Sequence, residues 1–473
     1  MKKFNNAAEV QKFVKENNID FISFLIVDID GRIRNVTIPA ENFTEKVIEN
    51  GIGFDASNLG FAPVNNSDMI LIPDLNSAFF DPSREEKNTL SFMTYIIETD
   101  GGKNFDQDLR HLILRAVNLL KEEGVADEVK VGIELEFNIL DSLYSRLTLR
   151  EVSYKISSSE FTSPSSGEEI YRIAANRGYF RSAPNDHHFE IRNEIVKALK
   201  SLNYDIKYHH HEVASSQSEI EFAFMPIETT ADATVLAKNI CHKIALKNDK
   251  IITFIPKLIP GEAGNGLHMH IFLLKNGENI FYDSNGLYNL SKEALYFIGG
   301  IFKHASSLLA FTNPTTVSYR RLIPGLEAPV KAVFAKSNRS AAIRIPGYIK
   351  DPAVQRFEFR TMDATCNPYL AYTAIIMAGL DGIRNQIDPQ KEGYGPIEKN
   401  LYSLPKEELD KIKSFPATLE EALNALEEDY EYLTYKNIFP VHLIEKWIQV
   451  KRKDIKEMRE IPHPWEIARY YDL

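Results

Sequence analysis

Hydrophobic positions near the start of the chain follow helical spacing first and strand spacing afterwards. Apolar residues recur on one face over residues 7–16, which predicts an amphipathic helix. Residues 21–38 contain two β-rich runs joined at Asp30-Gly31, a dipeptide that strongly indicates a β-hairpin. Further short β-rich runs occupy residues 69–74 and 91–97. The first hundred residues therefore predict a small domain of mixed helix and strand.

A polar, glycine-rich stretch between Ile97 and Asp108 separates this region from the rest of the chain. It has few side chains that could pack, so we place a domain boundary there and assign domains to residues 1–104 and 105–473. Residues 109–124 then predict an amphipathic helix ended by a glycine. Beyond it, helical stretches alternate with strands before a largely helical C-terminal region, so the sequence predicts an α+β fold.

Five of the predicted strands carry charged or histidine side chains at every second position. Side chains two residues apart on a strand point to the same side of the sheet, so each strand has one polar and one apolar face. In residues 131–137, for example, two glutamates share one face, and Ile133 and Leu135 share the other. The same-side sets are Glu134 with Glu136, His210 with Glu212, Glu219 with Glu221, His268 with His270, and Arg356 with Glu358 and Arg360.

Two interpretations of these polar faces are open from the pattern alone. The simpler one is a set of half-buried antiparallel strands with solvated outer faces. The other is that the faces meet inside one curved sheet, where unpaired like charges are costly. Divalent cations would neutralise them, and glutamate oxygens with one histidine suit Mg²⁺ or Mn²⁺ better than structural zinc. Arginines facing phosphate oxygens would complete a site for phosphoryl transfer.

Composition narrows the class of protein without identifying it. The chain has 473 residues and a formal net charge of −11, which argues against a protein that mainly coats nucleic acid or an anionic membrane. Its two cysteines, Cys241 and Cys366, exclude a disulfide scaffold and suit a reducing, cytoplasmic setting. We find no secretory signal and no apolar run near the ~20 residues of a spanning helix.

Eight sequence motifs follow one another along the chain. They are FDASNLGF with SDMILIPD (54–74), VGIELEF (131–137), RGYF (177–180), HHEV (210–213), GEAGNGLHMH (261–270), NPTTVSYRRLIPGLEAPV (313–330), NRSAAIRIP (338–346) and RFEFRTMDATCNPYLA (356–371). PHPWEIARYYDL then ends the chain. One such motif would be weak, but the ordered set resembles glutamine synthetases of the class I type over nearly the whole length.

The resemblance implies an ATP-dependent ligase that joins glutamate and ammonia through a γ-glutamyl phosphate. It implies a small N-terminal β-grasp-like domain and a large catalytic domain whose curved antiparallel sheet is backed by helices. Each active site would use two or three Mg²⁺ or Mn²⁺ ions, with ATP as co-substrate and no nucleic acid or membrane as partner. Members of the family form two stacked rings of six, so we expect a homo-oligomer, a dodecamer, in which a latch loop serves a neighbouring subunit.

The resemblance also implies roles for residues that match the family's motifs. The assignments to ions, ATP and substrates cover most of the polar strand faces described above. One ion would be held by Glu136, Glu212 and Glu219 and another by Glu134, His268 and Glu358, ATP by Arg339, Arg344 and Arg356, and the substrates by Tyr179, Gly264, Arg321 and Arg360.

Three residues are implied to act in catalysis. Asp55 of the latch loop would help to bind and deprotonate ammonium, and Arg339 would stabilise the transferring group. Glu327, on a Pro- and Gly-flanked loop that suits a closing flap, would shield the acyl phosphate from water and accept a proton from the amine. Arg356, taken alone, could equally be one half of a surface ion pair.

Several positions around the substrates depart from the family's pattern. Asn58 stands where the latch usually has serine, and Ala263 stands where an asparagine usually contacts glutamate. Val317 replaces another asparagine, and Ile271 and Phe272 follow the histidines where polar residues are usual. A site built to hydrogen-bond a substrate discriminates by that group. A γ-glutamyl-amine or polyamine ligase is therefore the second hypothesis.

Two further hypotheses come from other classes. A catalytically silent assembly protein would have no physical need for so many clustered carboxylates. A guanidine kinase with this type of catalytic domain would be expected to lack the N-terminal latch domain. Tyr402 resembles a loop tyrosine that some bacterial members adenylylate, although an ordinary exposed loop tyrosine is the favoured interpretation.

Overall fold

A computed structural model of the protein describes residues 1–59, 67–99, 102–161 and 171–470. Within these ranges the strands form a six-stranded sheet, a ten-stranded sheet and a separate two-stranded hairpin. The strands are β1 (Phe21–Val27), β2 (Ile33–Pro39), β3 (Ile52–Asp55), β4 (Asp68–Pro73), β5 (Phe79–Phe80), β6 (Thr89–Glu98), β7 (Glu128–Leu140), β8 (Ser142–Thr148), β9 (Glu151–Ser157), β10 (Ile206–His211), β11 (Gln217–Phe222), β12 (Met225–Pro226), β13 (Ile251–Thr253), β14 (Leu267–Lys275), β15 (Glu278–Asn279), β16 (Phe334–Lys336), β17 (Ile343–Ile345) and β18 (Phe357–Phe359). The helices are α1 (Ala7–Glu16), α2 (Glu45–Asn50), α3 (Leu109–Glu122), α4 (Phe189–Ser201), α5 (Ile227–Lys247), α6 (Lys292–Lys303), α7 (Ala305–Thr312), α8 (Ser318–Arg321), α9 (Pro368–Arg384), α10 (Lys406–Leu409), α11 (Leu419–Glu428), α12 (Glu431–Thr434), α13 (Val441–Arg459) and α14 (Pro464–Tyr470).

The six-stranded sheet belongs to the N-terminal region. Its order is β2-β1-β6-β4-β3, with β5 on β6; β1 and β6 are parallel and the other pairs antiparallel. The predicted hairpin is present, with Val27 of β1 paired with Ile33 of β2. Gly31 in the turn has a φ of +84°, a conformation that glycine adopts readily. Helix α1 begins after its N-cap Asn6 and buries its predicted apolar face in the core.

The ten-stranded sheet carries the predicted polar face. Its order is β10-β11-β7-β14-β18-β17-β16, with β12 and β13 on β7 and β15 on β14. The pairs are antiparallel except β16 with β17, which run parallel. Ile133, Leu135 and Phe137 of β7 are fully buried, on the face opposite Glu134 and Glu136. Helix α5 packs on β7 and α9 packs on α3, α5 and α6, so helices back the sheet as predicted.

The turn between β1 and β2 docks on the large domain. The side-chain amide of Asn367 donates to the carbonyls of Asp28 at 3.2 Å and Ile29 at 3.0 Å. Lys451 of α13, which is 5% exposed, donates to Asp30 at 2.8 Å. Buried polar contacts of this kind favour one fixed arrangement of turn and domain.

The region around the proposed domain boundary joins β6 to α3. The helix predicted over residues 109–124 is present as α3, and its N-cap Asp108 accepts the N–H of Arg110 at 3.2 Å. The boundary between residues 104 and 105 stays a prediction, since part of the predicted linker (residues 100–101) lies outside the described ranges.

In the described ranges, no single helix is both long and apolar enough to cross a membrane. Helices α6 and α7 reach that length and apolarity only as a pair, and they are bent by 80° where they meet. Most residues of both helices are buried in the protein.

His304 is buried at the junction of α6 and α7. Its Nδ1 lies 2.9 Å from Asp429 and its Nε2 lies 2.9 Å from Asp381. The ring stacks on Tyr432 with centroids 3.9 Å apart, and Lys303 contacts the same Asp381 at 3.0 Å. Burial alone would lower the pKa of His304, but its hydrogen bonds to Asp381 and Asp429 outweigh burial and raise that pKa above its ordinary value.

We expect His304→Gln to destabilise the protein most on the acidic side of neutral pH. A histidine whose pKa is higher in the folded than in the unfolded protein stabilises the fold. This stabilisation is complete at pH values below the unfolded-state pKa of about 6.5, and it is lost as the pH rises through the folded-state pKa. Urea unfolding should show a loss of about 2 kcal/mol at about pH 6 and little loss at about pH 9. The control is His442→Gln, which removes an exposed histidine paired with Asp106 and should matter little at either pH. Equal losses at both pH values would contradict this cause.

Candidate active site

A cavity of about 370 Å³ opens on the polar face of the ten-stranded sheet. Strands β7, β10, β11, β14, β17 and β18 border it, together with the loops before β14, after α8 and before β17. Among the described residues, every predicted site residue lines this cavity except Asp55 and Arg356. The volume lies in the range typical of small-molecule sites, about 300–1,000 Å³.

Strand register explains why so many carboxylates face one cavity. Glu219 of β11 lies opposite Glu136 of β7, and Glu221 lies opposite Glu134. On the other edge of β7, His268 of β14 lies opposite Glu134. Like charges directly opposite each other destabilise neighbouring strands unless something neutralises them. The interpretation as solvated outer faces is therefore wrong for these strands, because their polar faces meet in the cavity.

The first carboxylate group consists of Glu136, Glu212 and Glu219, with one oxygen of each within 4.8 Å of the others. Glu136 Oε2 accepts hydrogen bonds from the Gly266 N–H at 2.7 Å and from Gln217 at 3.1 Å. Glu212 Oε2 is buried and has no hydrogen-bond partner among the described residues. Burial, together with the neighbouring carboxylates, raises the pKa of Glu212 and of Glu219 well above the ordinary value.

The second group is centred on Glu134. His268 Nδ1 lies 2.8 Å from one of its oxygens and His270 Nε2 lies 2.9 Å from the other. Burial opposes ionisation, but these two imidazoles hold the pKa of Glu134 well below its usual range. Ligand atoms of Glu134, His270 and Glu358 lie within 4.8 Å of one another, and His268 Nδ1 is 3.8 Å from Glu358. The resemblance implies His268 as a ligand of this ion, and the structure places His270 beside it as a second imidazole.

Both groups suit a hard divalent cation. Carboxylate oxygens with imidazole match the chemistry of Mg²⁺ or Mn²⁺, and no cysteine is among the described residues that line the cavity. A cation would supply the partner that the buried Glu212 oxygen needs. It would also favour the ionised forms of Glu212 and Glu219. The residues therefore fit two metal ions.

Arginines adjoin the second group. Arg344 and Arg360 both donate to Glu358, which is fully buried. Burial would raise the pKa of Glu358, but Arg360 and Arg344 hold it at about 2. Arg321, which is 2% exposed, donates to the carbonyl of Thr361 at 2.9 Å, and its Nη2 lies 3.3 Å from His268. Guanidinium groups beside a cavity can bind carboxylate or phosphate oxygens in a bidentate way.

Arg356 stands apart from the cavity lining. Its guanidinium carbon lies 4.9 Å from the ring centroid of Phe224 and 5.9 Å from that of Tyr348, which does line the cavity. It is 4% exposed, so the alternative of a surface ion pair is wrong. Arg356 therefore lies behind an aromatic side chain of the cavity.

Three of the loop residues at the cavity are Tyr179, Glu327 and Arg339. The guanidinium carbon of Arg339 lies 5.8 Å from the Tyr179 ring, and that ring stacks on Phe180 with centroids 4.1 Å apart. Glu327 has a φ of +61°, a left-handed conformation that costs a residue with a side chain about 1 kcal/mol or more. Strain of this kind is concentrated at ligand clamps and active sites.

Gly264 and Gly266 let the loop before β14 pass close to Arg321. A Cβ on Gly264 would lie 2.1 Å from the carbonyl oxygen of Pro256, and one on Gly266 would lie 2.5 Å from Arg321 Nη2. The carbonyl of Gly264 also accepts from Gln217 at 3.1 Å. Larger residues would push this loop away from the first carboxylate group.

Sequence reasoning missed Gln217, Lys207 and Tyr348, which also line the cavity. Gln217 lies two residues before Glu219 on β11, so the same period-two rule could have found it. Lys207 pairs with Glu221 at 2.6 Å, and one basic residue on a strand gives no such signal. Nothing in the sequence around Tyr348 distinguishes it from a surface tyrosine.

Asp55 ends strand β3 and is not among the residues that line the cavity. Its carboxylate accepts the N–H of Ser57 at 2.8 Å. Residues 60–66 and the side chain of Asn58 lie outside the described part of the chain, so the predicted latch loop is described only in part.

Tyr402 lies beside the loop of Glu327. Its hydroxyl donates to the carbonyl of Ala328 at 3.4 Å, and its side chain is 41% exposed. Partial burial and, to a smaller extent, the negative charge of Glu327 raise the pKa of Tyr402. These features are those of an accessible loop tyrosine.

The fold and the cavity define a class: a two-domain α+β enzyme whose main sheet brings carboxylates, imidazoles and arginines into one cavity. Family models described as "Glutamine synthetase, beta-Grasp domain" and "Glutamine synthetase, catalytic domain" match residues 18–99 and 106–470. The chain is 42% identical to the glutamine synthetase of Aquifex aeolicus over 98% of both chains, and 39% identical to that of Frankia alni over 99% and 100%. The chain belongs to the glutamine synthetase family.

Solved structures agree with this assignment. The glutamine synthetase of Plasmodium falciparum, determined by cryo-electron microscopy, has a TM-score of 0.89 and 29% identity, covering 99% of both chains. The structure of GmaS without ligand has a TM-score of 0.81 and 24% identity over 98% and 99%, a likeness of fold alone. The predicted fold, with a β-grasp-like domain and a helix-backed catalytic sheet, is confirmed.

Proposed function

We propose that this chain is an ATP-dependent carbon–nitrogen ligase that forms glutamine from glutamate and ammonia. The observation that carries the proposal is the meeting of two carboxylate groups with four arginines in one cavity. Relatives named glutamine synthetase, about as long as this chain and matched end to end, support the choice of substrates.

The reaction divides into two steps. A γ-carboxylate oxygen of glutamate attacks the γ-phosphorus of ATP, and ADP leaves with the electrons of the broken bond. Ammonia then attacks the γ-carbonyl carbon, phosphate leaves, and the nitrogen loses its extra proton to a base. Most of the catalysis in such a transfer comes from positioning and from charge stabilisation.

The cavity residues divide between these tasks. Divalent cations, when bound, would neutralise charge as phosphate and carboxylate oxygens approach each other. Arg321 and Arg360 hold the carboxylates of glutamate, and Arg339 and Arg344 hold the phosphates. Arg356 supports the nucleotide side through its aromatic neighbours. One ion is assigned to Glu136, Glu212 and Glu219, and the other to Glu134, His268 and Glu358. Tyr179 and Gly264 are assigned to the binding of glutamate and ammonia.

The loop of Glu327 closes the site. Its carboxylate lines the cavity, and a general base must come within hydrogen-bond reach of the proton that it accepts. Closure would also exclude water, which otherwise hydrolyses an acyl phosphate.

The site is completed by a second copy of the chain. We assign Asp55 to the active site of a neighbouring subunit in a dodecamer of two six-membered rings, as the resemblance implies, and its absence from the cavity lining of its own chain supports this. Two free, buried cysteines support a reducing, cytoplasmic setting.

The proposal is tested with purified protein, Mg²⁺, ATP and glutamate, offered ammonium, ethylamine or putrescine in turn. We expect phosphate release to depend on ammonium and to match the glutamine formed. Release with putrescine but not with ammonium would contradict ammonia as the substrate. No release with any of the three amines would contradict the ligase itself.

A larger amine is the second candidate, because the cavity lacks a polar group that the resemblance implies beside the glutamate substrate, and such a loss is where a change of substrate would show. Ala263 lines the cavity, and its N–H donates to Asn176 at 2.8 Å, but its methyl group offers a substrate no hydrogen bond. A pocket with fewer polar groups is less selective.

Ala263→Asn should lower the KM for glutamate about 2–10-fold, the worth of one added hydrogen bond. Ala263→Leu, similar in size but apolar, is the matched control and should raise that KM. Initial rates measured at varied glutamate concentrations give the KM of each variant. An unchanged KM in Ala263→Asn would mean that this position does not contact glutamate.

A further inference from the structure

A buried cluster of one carboxylate and two imidazoles lies next to the first carboxylate group, outside the roles assigned above. Glu160 is 0% exposed. Its Oε2 lies 3.2 Å from His211 Nε2 and 3.0 Å from His188 Nδ1, and its Oε1 accepts the N–H of His187 at 2.8 Å. Burial opposes ionisation, but the two imidazoles hold the pKa of Glu160 at about 2.

His211 joins this cluster to a proposed metal ligand. Its Nδ1 lies 2.7 Å from the main-chain carbonyl of Glu212. A carbonyl can only accept, so Nδ1 carries the proton and donates. The ring is thereby held at both nitrogens, by Glu160 on one side and by the backbone of Glu212 on the other. The carboxylate oxygen Oε2 of Glu212 has no hydrogen-bond partner within the described ranges, so no bond of that oxygen holds the ligand, whereas His211 holds its main chain.

The same contact also fixes the loop that carries Tyr179. A Cβ on Gly178 would lie 2.4 Å from the carbonyl oxygen of Glu212 and 2.5 Å from His211 Cε1. The N–H of Phe180 donates to the His211 carbonyl at 3.0 Å. The loop therefore rests directly on the hydrogen bond between His211 and Glu212.

We propose that Glu160 and His211 are positioning residues that set the place of the Glu212 carboxylate and of the Tyr179 loop together. This inference rests on the proposed function and deepens it, because one buried pair would govern both metal affinity and the amine side of the site. Partners that orient metal ligands typically change metal affinity about 10–100-fold when they are removed.

The test measures Mn²⁺ binding by the electron paramagnetic resonance signal of free Mn²⁺, with the full-length protein and no ATP. Glu160→Ala should raise the Mn²⁺ concentration at half-saturation about 10-fold. Glu160→Gln keeps an oxygen acceptor for His211 and should stay within about threefold of the wild type. In steady-state assays Glu160→Ala should also raise the KM for ammonium, whereas the affinity for ATP stays unchanged because Arg344 lies on β17, across the sheet.

His304→Ala is the matched control, because it breaks a comparable buried cluster of imidazole and carboxylates that lies outside the cavity lining. Both variants should lower the melting temperature, and only Glu160→Ala should weaken Mn²⁺ binding. Mn²⁺ binding in Glu160→Ala equal to the wild type would overturn the positioning role.

If Glu160→Ala does not fold, His211→Asn replaces it in the same test. This side chain can donate near the Glu212 carbonyl but is too short to reach Glu160, so at least a threefold weaker binding of Mn²⁺ is expected. An unchanged half-saturation would overturn the inference. A wild type that binds Mn²⁺ but forms no glutamine would contradict the proposed function, and the comparison of variants would still decide the role of Glu160.

Discussion

Glu327→Ala should lower glutamine formation by about 10²–10⁴-fold, the usual contribution of a positioned general base, while ATP still binds. The carboxylate that would accept the amine's proton is lost, and the open loop admits water to the acyl phosphate. Released phosphate should therefore exceed the glutamine formed. Both products are measured in one reaction, and ATP affinity is measured by calorimetry.

Two variants control this result. Glu327→Gln keeps the size of the side chain without its basicity. The amount of phosphate released should therefore again equal the amount of glutamine formed, while the rate of glutamine formation stays low. Glu392→Ala removes an exposed loop glutamate outside the cavity lining and should leave the rate unchanged. Full synthesis by Glu327→Ala would refute its role.

Glu136→Ala should lower kcat/KM by about 100-fold or more, a loss of about 2.7 kcal/mol in transition-state stabilisation. One ligand of the first carboxylate group disappears, and the N–H of Gly266 and the amide of Gln217 lose their acceptor. The free Mn²⁺ signal should show one weakened site, and excess Mg²⁺ should recover only part of the rate.

The control for this change lies on the same strand and face. Glu128→Ala removes an exposed glutamate at the start of β7 that forms an ion pair with Lys130. Ion pairs near the surface contribute about 1 kcal/mol at most to the stability of a protein. Its activity and Mn²⁺ binding should match those of the wild type. A Glu136→Ala enzyme as active as this control would contradict the assignment of Glu136 to a metal.

The sequence predicts the polar strand faces well because side-chain alternation on a strand is a local property. Glu134 and Glu136 can only share a face, and their neighbours Ile133 and Leu135 can only share the other. The pattern cannot show which strands become neighbours. That β11 lies on one side of β7 and β14 on the other depends on contacts between residues about eighty or more positions apart.

Other features of the site follow from packing that no local pattern records. His270 lies as close to Glu134 as His268 does, because the ring nitrogens of both reach the same carboxylate. Arg356 alternates with Glu358 and Arg360, yet it packs on Phe224 behind the cavity lining. Glu160 gives no sequence signal at all, since its partners are histidines 28 and 51 positions away.

The most direct test of phosphoryl transfer follows a γ-carboxylate oxygen of glutamate into the released phosphate. Glutamate labelled with ¹⁸O in its γ-carboxylate is converted with ATP, Mg²⁺ and ammonium, and the released phosphate is examined by mass spectrometry. Attack by the carboxylate on ATP predicts one ¹⁸O atom in each phosphate, and none in phosphate released when glutamate is omitted. Glutamine formed together with unlabelled phosphate would contradict a γ-glutamyl phosphate and with it the assignment of this cavity to phosphoryl transfer.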